Sequence, residues 1–92
     1  MIRNFRHKGL KRLYEKGSVR GLPPQMLPRL RLILADLDAA EDLDGLSLPG
    51  YQLHPMKGEL KGFWSLRVTG NFRVIFRFEK NESWDVDLVD YH

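Results

Sequence analysis

Beyond Asp44-Gly45 and Pro49-Gly50 the spacing of apolar residues drops from about 3.6 to 2. That switch calls for a chain that is helical in its first half and sheet-forming in its second. Phe63 to Val68 sets Trp64, Leu66 and Val68 against Phe63, Ser65 and Arg67, while Phe72 to Phe78 sets Phe72, Val74, Phe76 and Phe78 against Arg73, Ile75 and Arg77. Thr69-Gly70-Asn71 is a tight turn between the two runs. Lys80-Asn81-Glu82 is a second turn, after which Trp84, Val86 and Leu88 repeat the alternation. A three-stranded antiparallel meander follows from this pattern.

Upstream, Leu10, Leu13 and Tyr14 lie at helical spacing before Gly17, a helix stop. Ser18 to Pro24, crowded by Gly21, Pro23 and Pro24, reads as a loop. From about Pro28 to Ala40, Leu30, Ile33, Leu34 and Leu37 fall on one stripe, with Arg29, Arg31, Asp36 and Asp38 off it. Pro28 is tolerated in the first turn, where backbone donors lack partners anyway. Ile2 to Phe5 suits a short additional strand. The expected fold is α+β, a small antiparallel β-sheet with two N-terminal α-helices packed on one face, in a single domain over residues 1–92.

Hydrophobic residues make up 42% of the chain and ten are aromatic, enough for a real core and against intrinsic disorder. Without cysteine there is no disulfide framework, thiolate metal site or cysteine nucleophile. The longest apolar run, Leu32 to Ala35, is too short for a signal-peptide core or a membrane span, so a cytoplasmic protein with no membrane partner is expected. Charge is segmented. Residues 1–31 carry nine Lys/Arg against one acid and residues 51–77 five against one, whereas residues 32–50 and 78–92 are acidic. Basic surfaces of this kind attract polyanions such as nucleic acid.

On the sheet face turned away from the helices, strand parity collects Arg67, Arg73, Arg77 and Tyr91. Arginine forks grip phosphates and an aromatic beside them can stack on a base, which suits single-stranded RNA. The plain alternative is a solvated face on which the arginines pair with Asp85 and Asp87. His54 and Lys57, in the irregular segment Leu53 to Gly58, combine a proton carrier with a fixed positive charge. Asp90-Tyr91-His92 brings an acid, a phenol and an imidazole within three residues, but only a bend gathers them. His7 reads as a surface residue. The three histidines have no recognised ligand spacing, so neither a metal nor another cofactor is expected.

Taken in order, Met1-Ile2-Arg3-Asn4-Phe5, Lys8-Gly9-Leu10, Leu53-His54-Pro55-Met56-Lys57-Gly58, Trp64-Ser65, Asn71-Phe72-Arg73 and Asp90-Tyr91-His92 resemble the HigB toxins of the RelE/ParE superfamily of bacterial type II toxin-antitoxin systems. The resemblance spans essentially the whole chain. It implies a RelE-like fold and a metal-independent endoribonuclease that cuts mRNA in the A site of the 70S ribosome. It also implies a cognate helix-turn-helix antitoxin of the HigA-like type, with the toxin monomeric alone and part of a larger complex with its antitoxin. Family positions carry over onto His54, Lys57, Asn71, Arg73, Asp90, Tyr91 and His92, with Arg67 and Arg77 added from strand parity as RNA contacts. Phe72 departs from a family pattern in which tryptophan is also familiar. Two other readings share these features: a toxin of this fold that inhibits a protein such as a topoisomerase, and a non-catalytic RNA-binding module.

Overall fold

The computed structural model describes residues 1–91; His92 lies outside the described residues. Helix α1 spans Lys8–Lys16. Its first turn is capped by His7, whose Nδ1 accepts from the Leu10 N–H at 3.1 Å, so the residue expected on the surface is a half-buried helix cap. Gly17, at φ +68, ends the helix in the left-handed conformation that glycine adopts without strain. Helix α2 spans Leu27–Ala39 and holds Pro28 in its first turn. Its buried residues are Leu30, Ile33, Leu34 and Leu37, the four picked out by their spacing. Among the described residues no helix is long and apolar enough to cross a membrane.

The sheet has four antiparallel strands in sequential order, β1 (His54–Pro55), β2 (Trp64–Arg67), β3 (Phe72–Glu79) and β4 (Glu82–Asp90). The segment around His54 thus supplies a fourth strand beyond the expected meander; it is only two residues long and contains a proline, so periodicity does not reveal it. At the opposite edge, Ile2 and Phe5 make single parallel bridges to Ser83 and Val86 rather than a regular strand. Leu66, Val74, Phe76 and Val86 pack with Leu10, Leu13 and the α2 stripe into the main core. Burial of each such side chain contributes roughly 1.5–3 kcal/mol.

Two features depart from simple alternation. First, β3 and β4 are joined by a two-residue turn with Lys80 at φ +53 and Asn81 at φ +64, which sets Glu79 opposite Glu82. Farther along, Ile75 faces Asp87, so β4 carries one extra residue and Asp85 and Val86 together face Phe76. The register set by the turn places Trp84 opposite Arg77, on the outer face, and Ser83, fully buried, in the inward position where its hydroxyl approaches the Leu37 carbonyl at 3.5 Å; the bulge then returns Val86 and Leu88 to the inward row. Trp84, expected to share that inward row, faces outward instead. Second, the outer face is not uniformly cationic: Ile75 is buried there beneath Met56 and Phe63, with Leu60 and Val89 alongside.

Candidate active site

Directly paired residues on adjacent strands project from the same face. One outer row therefore runs His54, Ser65, Ile75, Asp87, and the next runs Arg67, Arg73, Val89. Tyr91, two residues past Val89, has the same parity, and its N–H donates to the Asn71 carbonyl at 2.8 Å, tying residue 91 to the β2–β3 turn. The fold thus brings His54, Arg67, Arg73 and Tyr91 to one side of the sheet. Asp90 pairs with Phe72 and has the opposite parity.

The exposed His54 ring lies with Nδ1 2.9 Å from the Gln52 carbonyl. A carbonyl only accepts, so in the neutral ring this contact keeps the proton on Nδ1 and leaves Nε2 with a lone pair for proton transfer. Lys57 is exposed at the start of the Gly58–Leu60 turn, where Gly58 adopts φ +68. Arg73 bends back over the β2–β3 turn, its Nη1 donating to the carbonyls of Thr69 at 2.7 Å and Phe72 at 3.2 Å. Among the described residues its other guanidinium donors have no partner, and they can take an anion. Asn71 is exposed on the same turn.

Arg77 sits apart from this group. Buried Ile75 separates it from Arg73 along β3, and it forms ion pairs with Glu79 and, at 2.8 Å, with Asp85. The Arg77 bond holds the Asp85 carboxyl below the usual carboxylate range, against the opposing effect of burial and with help from Asn4. Asp87 instead accepts from the backbone N–H of Leu88 at 2.9 Å. The anticipated pairing of arginines with acids thus holds for Arg77 and Asp85.

The spacing gave no hint of the support behind Arg67. Arg29 of α2 donates through Nε and Nη2 to the Arg67 carbonyl, at 3.1 and 3.0 Å, and through Nη2 to the Gly50 carbonyl at 2.5 Å. Its guanidinium lies 4.8 Å from the ring centre of Tyr51, whose carbonyl accepts the Arg67 N–H at 2.7 Å. The Tyr51 hydroxyl donates to Asp36 at 2.5 Å, and burial followed by that bond pushes the phenol pKa upward. In the sequence Arg29 is one of four charged residues off the apolar stripe of α2, and the spacing does not single it out. Among the described residues, no group of three or more His, Asp or Glu side chains is arranged to hold a metal ion.

This arrangement of two helices on a four-stranded antiparallel sheet is the RelE-like toxin fold. It superposes on the YoeB–YefM complex from Staphylococcus aureus with a TM-score of 0.62 at 16% identity, covering 100% of this chain and 98% of that one. It superposes on YafQ from E. coli with a TM-score of 0.53 at 18% identity, covering 96% and 92%. The model of the RelE-like toxin of type II toxin-antitoxin system HigB matches residues 3–92, and the chain belongs to that family. It is 40% identical to Endoribonuclease HigB of Proteus vulgaris, over 100% of both chains. It is 34% identical to Toxin HigB-1 of Vibrio cholerae serotype O1, over 85% of this chain and 84% of that protein.

Proposed function

We propose that this toxin is a ribosome-dependent endoribonuclease that cuts translated mRNA in the A site by general acid–base chemistry and is neutralised by a cognate helix-turn-helix antitoxin in the cytoplasm. The observation that carries the reading is the sharing of one sheet face by His54, Arg67 and Arg73, an imidazole beside two guanidinium groups. The full-length similarity to a protein named Endoribonuclease HigB supports it.

Cleavage of RNA without a metal requires three services. A base takes the proton of the 2′-hydroxyl, cations hold the charge on the pentacoordinate phosphorus, and an acid protonates the leaving 5′-oxygen. In this scheme His54 and His92 transfer the protons, Lys57 and Arg73 hold the phosphate and Tyr91 positions the nucleotide, while Asp90, whose opposite parity keeps it off the face of His54, assists His92 alone. Arg67 and Asn71 take the flanking backbone. Arg77, its charge already matched by Asp85 and Glu79, is assigned no phosphate. The basic segments 1–31 and 51–77 suit ribosomal RNA on more than one side. The ribosome then presents the message, and orientation of this kind supplies roughly 7–11 kcal/mol in favourable cases.

Primer extension on one defined mRNA, naked and loaded on programmed ribosomes, tests the proposal. Discrete cuts on ribosomes alone, lost with Lys57→Ala, are the expected result. Folded protein that cuts in neither setting overturns it in favour of a protein-inhibiting toxin or a binding module.

A further inference from the structure

Asn4 belongs to no part of the chemistry above, yet its side chain is bonded on both sides to the β4 bulge. Its Nδ2 donates to Asp85 Oδ1 at 2.9 Å, and its Oδ1 accepts the Asp85 backbone N–H at 2.7 Å. Its carbonyl accepts the Val86 N–H at 3.2 Å. Asp85 itself adopts φ +54, a left-handed conformation that aspartate tolerates better than most residues but does not prefer. The bulge is thus held by a partner 81 positions away in sequence.

The location of the bulge gives it a consequence for the site. The tight turn at Lys80-Asn81 imposes one register on β3 and β4, and Arg73 pairs with Val89 in a register displaced by one. Because side chains alternate, a displacement of one residue exchanges the two faces. Were the first register to continue, Arg73 would face Leu88, Tyr91 would turn to the helix side, and Asp90 would take its place. The single extra residue at Asp85 and Val86 is what puts Tyr91 on the face of Arg67 and Arg73. Phe76, opposite the bulge, lies only three residues along β3 from Arg73.

We propose that Asn4 is a positioning residue for the RNA-cleaving site, acting through the Asp85 bulge to fix the phase of the C-terminal end of β4 against Arg73. This inference rests on the reading of the outer sheet face as the reactive surface. Its specific content is a reciprocal amide–carboxylate pair. Asn4→Asp sets two carboxylates against each other and breaks the pair, whereas Asn4→Asp combined with Asp85→Asn exchanges donor and acceptor and restores both side-chain bonds.

The test measures single-turnover cleavage of ribosome-loaded mRNA at saturating toxin, together with backbone amide shifts of Arg73, Val89 and Tyr91 in the free protein. Asn4→Asp is expected to slow the bond-breaking step about tenfold or more and to move those three shifts, without weakening ribosome binding. The double exchange is expected to return both readouts to wild type. Should Asn4→Asp not fold, Asn4→Ala carries the same expectation for rate and shifts. An unchanged rate and unchanged shifts in the single Asn4 variant, or a double variant that recovers neither, overturn the inference. If the wild-type protein cuts nothing, the functional reading fails, while the shift pattern still decides whether Asn4 controls the end of β4.

Discussion

Arg67 and Arg73 are direct cross-strand partners, and among the described residues neither forms an ion pair. Like charges placed opposite each other in a sheet are destabilising, by roughly 0.2–1 kcal/mol. An anion held between the two guanidinium groups, as the function proposed above requires, would offset that cost. Arg67→Gln should therefore leave the urea midpoint unchanged or raise it, and should weaken RNA binding. The slope of log affinity against log salt should flatten by about 0.7–0.9 for the one lost phosphate contact. Loss of stability with an unaltered salt slope would contradict this assignment.

His54 and Lys57 are exposed and outside the main core, so their removal should separate activity from folding. His54→Gln and Lys57→Ala are each expected to reduce cleavage about 10²- to 10⁴-fold while thermal midpoints stay at the wild-type value. Two fully active variants would remove both residues from the mechanism.

Stability should fall at both ends of the pH range for identifiable reasons. Asp85 is held low by Arg77, and Asp38 by the Tyr14 hydroxyl at 2.6 Å and then by the Ile2 N–H. A depressed carboxyl contributes stability that is present above its unfolded pKa, near ~3.9, and lost as pH drops through its lower folded value. Tyr14 has the opposite sense: its bond to Asp38 pushes it up to about 12, so its contribution is present below about 10 and lost as pH rises towards 12. Urea midpoints measured across pH should show a shallower acid limb in Asp38→Asn and Asp85→Asn, and a shallower alkaline limb in Tyr14→Phe. Limbs identical to wild type in all three would refute the account.

Ser65 is fully buried, and among the described residues its hydroxyl has no hydrogen-bond partner. A buried polar group in that state costs about 1–3 kcal/mol. Ser65→Ala should accordingly raise stability by about 1 kcal/mol, read from chemical denaturation. A destabilised variant would mean that the hydroxyl is satisfied in solution.

Both helices, the strands from Trp64 onward and the inward row of β3 were legible from the spacing of apolar residues, because burial is what that spacing records. So was the shared parity of Arg67, Arg73 and Tyr91. Trp84 departs from its spacing because the bulge after it rests on a left-handed aspartate and a partner at Asn4, neither of which alters local periodicity. Strand parity does not separate Arg77 from Arg73, because Ile75 between them shares their outward parity and is covered by Met56 and Phe63 from a segment with no regular period. The bonds from Arg29 to the Arg67 carbonyl join positions 38 residues apart, and such pairing leaves no trace in a linear pattern.

The bridges from Ile2 to Ser83 and from Phe5 to Val86 join residues made early in translation to residues made late. Contacts so distant in sequence carry a loop-closure cost and slow folding. Until β4 has paired, Ile2 and Phe5 lack their bridging partners Ser83 and Val86, and Arg73 lacks Val89 beside it. On the function proposed above, the face shared by Arg73 and Tyr91 is complete only once β4 has paired with β3.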